Sequence, residues 1–278
     1  MTAISLDLSK KNELRWLSGL VRQVAAAAGD VPFFITGATA RGLILQYGYE
    51  IEAARKTQDV DFAFMVETWP AFEALRSRLL ATGEFAAAPG NAHRLLCNTG
   101  MLVDLVPFGA IERPDRTIAW PPNGSVVMNV FGFKEALAAT ISVLLPKRIT
   151  TQIVSLPALA LLKISAWTER RHVQPGKDAY DLRLILRHYL DAGNRDRLYT
   201  EAPQLLQQDD FDYETAGAWL LGHDMASLLA ADGKAMVAAL LERESNPNGS
   251  LALVGDMRTD PQTIMSLLSA MRRGFLGS

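Results

Sequence analysis

Residues 33–64 read FFITGATARGLILQYGYEIEAARKTQDVDFAF, and this stretch decides how the rest of the chain is interpreted. The apolar run that ends at Ile35 predicts a strand, and Gly37 follows it at a turn. A helix is predicted over residues 38–47. A second apolar run carries Asp59 and Asp61 and predicts another strand. The stretch therefore has the pattern strand, glycine turn, helix, strand.

Two aspartates, Asp59 and Asp61, lie one residue apart in the second strand. Side chains alternate between the two faces of a strand, so both aspartates share one face, and Val60 and Phe62 share the core face. Neighbouring carboxylates repel each other unless a cation neutralises them. Oxygen ligands favour Mg²⁺ or Mn²⁺. The pattern therefore predicts a divalent metal at this pair.

The glycine of the turn has a physical role of its own. Gly37 permits a backbone conformation, or a close backbone approach, that a Cβ would hinder. The helix after it would point its N–H groups and positive dipole end at the turn, which favours phosphate oxygens. A phosphate site beside a metal-binding carboxylate pair predicts phosphoryl or nucleotidyl transfer.

These features resemble the nucleotidyltransferase superfamily of the DNA polymerase β type. The family has a strand, a Gly-Gly or Gly-Ser turn, a helix, a strand that ends in Asp-x-Asp, and a third carboxylate on a later strand. Residues 36–40 (TGATA) and 57–62 (TQDVDF) are similar to the first parts, and Asp104 in the run LVDLV is similar to the last. The resemblance implies that Asp59, Asp61 and Asp104 are catalytic and ligate two Mg²⁺ ions. Asp104 is the candidate to help deprotonate the acceptor hydroxyl.

One residue of the turn departs from the family pattern. The family usually has Gly or Ser where this chain has Ala38, which offers no hydroxyl to a phosphate or a metal. Thr39 or backbone N–H groups are the alternatives for that contact. The resemblance implies that Gly37, Ala38 and Thr39 bind the nucleotide.

Two later segments resemble one branch of the superfamily, the AbiEii/AbiGii toxin family, which includes toxins of type IV toxin–antitoxin systems. Residues 161–170 (LLKISAWTER) are similar to its Lys-x-x-Ala…Arg motif, and residues 177–182 (KDAYDL) to its Arg/Lys-Asp-x-x-Asp motif. The resemblance covers roughly residues 30 to 190. The implied catalytic residues of this part are Lys163 and Asp178, and the implied nucleotide-binding residues are Lys177 and Asp181. Lys163 and Lys177 would neutralise phosphate charge.

Simpler interpretations of these residues also fit the sequence. Lys163 can be a surface lysine whose stem covers apolar neighbours. Asp178 can pair with Lys177 or Arg183 on a solvated helix face. Asp181 can cap or tether a neighbouring helix.

The fold predicted from these patterns is α+β. An N-terminal α/β domain of the nucleotidyltransferase type, with a mixed sheet, is expected over residues 1–155, and an all-helical domain over residues 156–278. Pro157 is placed to start the first helix of the second domain. The helical domain is expected to close over the bound nucleotide. With 278 residues, 49% of them hydrophobic, the chain can bury a sizeable core.

Composition also narrows the class of protein. Cys97 is the one cysteine, so an intrachain disulfide is excluded, as suits a cytoplasmic protein. The N-terminus lacks a signal-peptide pattern, and no apolar run approaches the roughly 20 residues needed to span a bilayer. We therefore expect a cytoplasmic protein without a membrane partner.

The predicted function is metal-dependent transfer of a nucleoside monophosphate from an NTP to an acceptor hydroxyl. The toxin resemblance implies an RNA 3′ end, with tRNA as one candidate, and a cognate antitoxin as a candidate partner. The formal net charge is −2, which gives no bulk attraction to nucleic acid, but residues 163–197 hold 8 Lys/Arg against 5 Asp/Glu. The alternatives are a small hydroxylated acceptor, such as an aminoglycoside, and a catalytically silent binding protein of the same fold.

Overall fold

The computed structural model describes residues 5–52 and 59–277, and the chain divides into two compact units. The first unit comprises Met1–Gly48 and Glu52–Ser155, and the second comprises Tyr49–Ile51 and Leu156–Ser278. Thr57 and Gln58 of the quoted motif lie outside the described residues. That each unit is an independent domain stays a prediction.

The first unit is built on an eight-stranded mixed sheet. Its strands are β1 (Leu6–Asp7), β2 (Phe33–Thr36), β3 (Asp59–Val66), β4 (Phe85–Ala87), β5 (Arg94–Cys97), β6 (Leu102–Gly109), β9 (Thr140–Leu145) and β10 (Ile149–Val154). Their spatial order is β1-β9-β10-β2-β3-β6-β5-β4. Two further strands, β7 (Thr117–Ala119) and β8 (Val127–Asn129), form a separate antiparallel ribbon. The mixed sheet confirms the fold class predicted for this part of the chain.

The helices of the first unit flank this sheet. They are α1 (Arg15–Ala28), α2 (Gly37–Gly42), α3 (Trp69–Ala81) and α4 (Phe133–Ala138), with 3₁₀ turns at Asn12–Leu14 and Pro146–Arg148. A π-helical segment, Leu43–Gly48, continues α2 directly, so the helix predicted over residues 38–47 is present. The side chain of Thr68 caps α3 by accepting a hydrogen bond from the N–H of Ala71.

The first half of β3 alternates between buried and half-buried residues. Val60 and Phe62 are fully buried, as predicted from their spacing, and Phe64 is fully buried as well. The strands β3 and β6 run parallel, and β2 pairs with β3 in the antiparallel direction. This pairing brings the end of β2 and the beginnings of β3 and β6 to the same edge of the sheet, where the acidic residues lie.

The second unit is helical, as predicted. Its helices are α5 (Leu156–Arg170), α6 (Lys177–His188), α7 (Arg197–Glu201), α8 (Tyr213–Ser227), α9 (Ala231–Ser245), α10 (Ala252–Asp256) and α11 (Pro261–Leu276), with a 3₁₀ turn at Leu205–Gln207. The helices α8 and α11 pack closely against each other at two glycines. A Cβ on Gly222 would lie 1.9 Å from the carbonyl oxygen of Met271, and one on Gly274 would lie 1.9 Å from that of Trp219. These glycines therefore set the distance between the two backbones.

Among the described residues, no helix combines the length and the apolar character that a membrane crossing needs.

Candidate active site

The glycine turn and the strand β3 meet at Asp61. Thr36, the last residue of β2, pairs with Asp61, so Gly37 lies beside the aspartate at the start of α2. Gly37 has φ of +68°, and a Cβ built on it would lie 1.9 Å from Oδ2 of Asp61. Both the backbone conformation and the space taken by the carboxylate therefore require glycine at this position.

Three aspartates lie together on one face of the sheet. In the parallel pair β3–β6, Asp61 is opposite Asp104, and Asp59 precedes Asp61 by two residues. Paired residues of neighbouring strands point to the same face, as do residues two apart in one strand. Asp104 is buried, and Asp59 and Asp61 are half-buried. The structure thus brings together the three carboxylates singled out in the sequence.

An arginine that was not predicted from sequence joins this group. Arg94 of β5 pairs in register with Asp104. Its Nε donates to Oδ1 of Asp104 at 2.7 Å, its Nη2 donates to Oδ2 at 2.6 Å, and Nη2 lies 3.9 Å from Oδ2 of Asp59. The hydrogen bonds to Asp104 raise the pKa of Arg94, and the nearby charges of Asp59 and Asp61 add to that effect. The guanidinium therefore lies within the field of all three carboxylates.

The residues after Gly37 connect the helix to the strand. Thr39 is buried, and its hydroxyl donates to the carbonyl oxygen of Asp59 at 3.1 Å. That hydroxyl, one of the two alternatives for the missing serine, is therefore already bonded to the main chain. Ala38 is half-buried and offers no polar side-chain atom. Backbone N–H groups are the other alternative for a phosphate contact at this turn.

The donor set fits a divalent metal ion. Asp59, Asp61 and Asp104 present oxygen ligands only, on one face, and Gly37 leaves room for the carboxylate of Asp61. Hard cations such as Mg²⁺ and Mn²⁺ prefer such ligands. The bidentate bond from Arg94 satisfies one of the three carboxylates without a metal.

Three of the other predicted residues, all in the second unit, belong to one ion-pair network. Nζ of Lys163 on α5 lies 3.1 Å from Oδ1 of Asp178 and 2.6 Å from Oδ2 of Asp181, both on α6. Arg170 donates to both oxygens of Asp178 at 2.7 Å. Lys163, Asp178 and Asp181 are 7%, 1% and 2% exposed. The network therefore joins α5 to α6 through two cations and two carboxylates.

These contacts test the simpler interpretations of Lys163, Asp178 and Asp181 given above. The surface placement of Lys163 is wrong, because α6 covers its ammonium group. The pairing of Asp178 with Lys177 or Arg183 on a solvated face is also wrong, since Asp178 is buried against Lys163 and Arg170. Asp181 does tether a neighbouring helix. Burial alone would raise the pKa of Asp178, but the hydrogen bonds and charges of Arg170 and Lys163 outweigh it, so the pKa is lowered.

The cations of the basic stretch are largely engaged within the second unit. Arg171 lies over the ring of Trp167 at 4.9 Å and lies 3.7 Å from Asp256. Arg183 donates to the carbonyl oxygens of residues 257 and 258. Lys177 is half-buried at the start of α6 and lies outside the Lys163 network. The local excess of positive charge is therefore a weaker RNA surface than the sequence suggested.

The family model for the nucleotidyl transferase AbiEii toxin of type IV toxin–antitoxin systems matches residues 19–249. The chain belongs to this family. The AbiEii match spans both the aspartate triad of the first unit and the Lys163 network of the second, and it makes the protein a nucleotidyltransferase. No curated protein matches the chain.

Solved structures show a loose likeness. The antibiotic-resistance factor ANT(2'')-Ia is 16% identical with a TM-score of 0.36, covering 70% of this chain and 99% of that one. An antigenic nucleotidyltransferase-like protein from Paracoccidioides brasiliensis is 17% identical with a TM-score of 0.41, covering 72% and 93%. JHP933 from Helicobacter pylori is 12% identical with a TM-score of 0.35, covering 99% and 94%. The AbiEii assignment rests on the family match.

A third acidic cluster in this AbiEii protein has the spacing of a metal site. Ligand atoms of Glu201, His223 and Asp224 lie within 4.8 Å of one another. Arg197 already donates to both oxygens of Glu201 and to both oxygens of Asp224, and Tyr189 donates to Asp224 as well. The hydrogen bonds to Asp224 and Glu201 raise the pKa of Arg197. Arg197 occupies the oxygens of both carboxylates of this cluster, whereas Arg94 donates hydrogen bonds to one of the three aspartates of the first unit. We therefore interpret the Arg197 cluster as an ion pair that fixes α7 to α8.

Proposed function

We propose that this AbiEii-family protein transfers a nucleoside monophosphate from an NTP to the hydroxyl at an RNA 3′ end, with Mg²⁺ or Mn²⁺ bound by Asp59, Asp61 and Asp104. The observation that carries the proposal is the pairing of Asp61 with Asp104 on one sheet face, beside Gly37, where the carboxylate of Asp61 leaves no room for a Cβ. When bound, the metal would lower the pKa of the acceptor hydroxyl and stabilise the pyrophosphate leaving group.

The first unit supplies the groups that would hold the nucleotide. Gly37 places the start of α2 beside Asp61, so the backbone N–H groups of residues 37–39 are the proposed phosphate donors. The bond from Thr39 to the carbonyl oxygen of Asp59 keeps that turn against β3. Asp104 is the proposed acceptor of the proton from the RNA hydroxyl.

For the second unit we propose a positioning role for Lys163, Asp178 and Asp181. Their ion pairs fix α6 against α5 and so fix Lys177 at the first position of α6. Lys177 is the proposed phosphate-binding cation of this unit, because it lies outside the buried network. The bidentate bond from Arg170 holds Asp178 in one orientation.

The proposed RNA acceptor is the one that the resemblance to type IV toxins implies, and the chain belongs to a family of such toxins. A cognate antitoxin is the corresponding proposed partner. On this proposal, expression of the protein without that partner slows bacterial growth, and expression of a variant with Asp59→Asn and Asp61→Asn does not.

A small hydroxylated acceptor, such as an aminoglycoside, is the second candidate. One observation favours it. Four cations of the basic stretch already have ion-pair or hydrogen-bond partners inside the second unit, namely Lys163, Arg170, Arg171 and Arg183. A polynucleotide needs cations available to its phosphates, whereas a small acceptor does not.

The test is an incubation of purified protein with labelled NTPs, Mg²⁺ and total RNA, with an aminoglycoside in a parallel reaction. We expect label in discrete RNA bands, including those of tRNA size, and its loss with EDTA or in the Asp59→Asn, Asp61→Asn variant. Label on the aminoglycoside and none on RNA would transfer the assignment to the second candidate. Label that persists in the double variant would refute the proposed site.

A further inference from the structure

We infer that Arg94 is a positioning residue whose guanidinium acts as an internal counter-cation. It holds the carboxylate of Asp104 in the metal-free protein and releases it when a divalent ion binds. The inference rests on the proposed function, because it requires Asp59, Asp61 and Asp104 to bind a metal. It adds a residue of β5 that none of the family motifs quoted above includes, and it states how access to the third carboxylate is controlled.

The position of the guanidinium carries the inference. Arg94 uses two hydrogen bonds, of 2.7 Å and 2.6 Å, to engage both oxygens of Asp104. The same Nη2 that bonds to Asp104 lies 3.9 Å from Oδ2 of Asp59, which is on a different strand. The positive charge therefore lies between carboxylates of β3 and β6, where a bridging metal ion would also be attracted.

The neighbours of this pair distinguish it from a permanent structural ion pair. Arg94 and Arg116 are similarly exposed, at 30% and 28%, so both guanidinium groups have a route to water. Asp104, the partner of Arg94, lies beside the carboxylates of Asp59 and Asp61, whereas Glu112, the partner of Arg116, has Lys134 as a second cation. A long, partly solvated arginine can move into water while a metal ion takes over the compensation of Asp104.

Competition follows from this arrangement. A metal ion that takes Asp104 as a ligand must replace the two charge-assisted hydrogen bonds of Arg94. The arginine therefore stabilises the metal-free protein and weakens metal binding at once. Removing its charge should move these two properties in opposite directions.

The experiment compares Arg94→Gln with the unchanged protein in the absence of nucleotide. Mn²⁺ binding is titrated by the electron paramagnetic resonance signal of the free ion, and thermal unfolding is followed in EDTA and in saturating Mn²⁺. We expect Arg94→Gln to bind Mn²⁺ about tenfold more tightly, because the metal no longer competes with charge-assisted hydrogen bonds to Asp104. Its Tm should lie below that of the unchanged protein in EDTA, and the difference should shrink in Mn²⁺.

Arg116→Gln is the matched control, because Arg116 forms ion pairs in the same unit with Glu112 and Glu135. Replacement of an arginine with a merely structural role should lower Tm equally in EDTA and in Mn²⁺ and leave the Mn²⁺ affinity unchanged. Arg94→Lys, which keeps the charge and loses the bidentate bond, should bind Mn²⁺ with intermediate affinity.

Two outcomes would overturn the inference, and they differ in what they say about the proposed function. If the unchanged protein binds Mn²⁺ and Arg94→Gln binds it no more tightly, the role of Arg94 is wrong and the metal site stands. If the unchanged protein binds no Mn²⁺, both the inference and the metal site of the proposed function fail.

Discussion

Asp104 in the first unit and Asp178 in the second are each held by two hydrogen bonds from one arginine, but their further neighbours differ. Asp178 also pairs with Lys163, which pairs in turn with Asp181, and these three side chains are buried. Asp104 instead lies beside two more carboxylates, Asp59 and Asp61, which are half-buried. The same arginine–aspartate pair therefore belongs to a network with two cations for two buried carboxylates in one unit, and to a site with three neighbouring carboxylates in the other.

This difference predicts opposite responses to mutation. A buried ion pair that loses one partner leaves an uncompensated charge in a medium of low dielectric constant. An anionic cluster that loses a carboxylate loses repulsion as well. The second unit should therefore lose stability, and the first should lose binding and activity.

The largest expected effect is that of Lys163→Met. Removing the ammonium group leaves Asp178 and Asp181 buried with less compensation, which should lower the free energy of unfolding by about 3–5 kcal/mol. The measurement is urea denaturation followed by circular dichroism. Lys177→Met is the control, since Lys177 lies next to Asp178 but outside the network, and it should change stability by less than about 0.5 kcal/mol. Equal stability losses for the two lysines would contradict the comparison.

The dependence of stability on pH tests the role of the ion pairs of Asp178. The pKa of Asp178 is below its ordinary value of 3.8, so its ionised form contributes stability above that pH. The contribution is lost as pH falls from 3.8 through the lower pKa of the folded state. The stability difference between the unchanged protein and Asp178→Asn should therefore be constant near neutral pH and shrink below pH 3.8. A difference that grows towards acid pH would have the wrong sign.

Gly37→Ala has a smaller effect on stability and a large one on function. A left-handed backbone costs a non-glycine residue about 1–2 kcal/mol, and the added Cβ would also displace the carboxylate of Asp61. Gly83→Ala is a matched control in the same unit, because Gly83 has φ of +73° and no atom within 4 Å of an added Cβ. We expect the two variants to lose similar amounts of stability. Only Gly37→Ala should lose nucleotidyl transfer. Full transfer by Gly37→Ala would show that the position of Asp61 does not matter.

The smallest expected change in stability is that of the double variant Asp59→Asn, Asp61→Asn. Removal of two repelling charges should leave Tm in EDTA unchanged or slightly raised. Nucleotidyl transfer should disappear, and the rise in Tm caused by NTP with Mg²⁺ should disappear with it. A marked fall of Tm in EDTA would mean that these aspartates are structural.

Several of these features follow from the sequence because they depend on local periodicity. Alternation in β3 placed Asp59 and Asp61 on one face and Val60 and Phe62 in the core. Spacing of three residues placed Asp178 and Asp181 on the same face of α6, where both bind Lys163. These relations involve residues close in sequence, and helix or strand geometry fixes them.

Other features depend on contacts between distant segments. The burial of Lys163 was not evident, because an apolar helix gives no sign of which neighbour covers its one lysine. Arg94 could have been found, since a hairpin around residues 98–100 with Leu96 opposite Leu102 places residue 94 opposite Asp104. The ion pair of Arg171 and the hydrogen bonds of Arg183 with a segment near residue 257 join parts of the chain more than 70 residues apart, so the count of charges overstated the basic surface.

Equilibrium binding of Mn²⁺ tests the location of the metal most directly. The titration compares the unchanged protein with the Asp59→Asn, Asp61→Asn variant and with Glu201→Gln, which alters the Arg197 cluster. We predict that the unchanged protein and Glu201→Gln bind Mn²⁺ with the same affinity and that the double variant does not bind it. Unchanged binding by the double variant, together with loss of binding in Glu201→Gln, would place the metal in the helical unit and contradict the account.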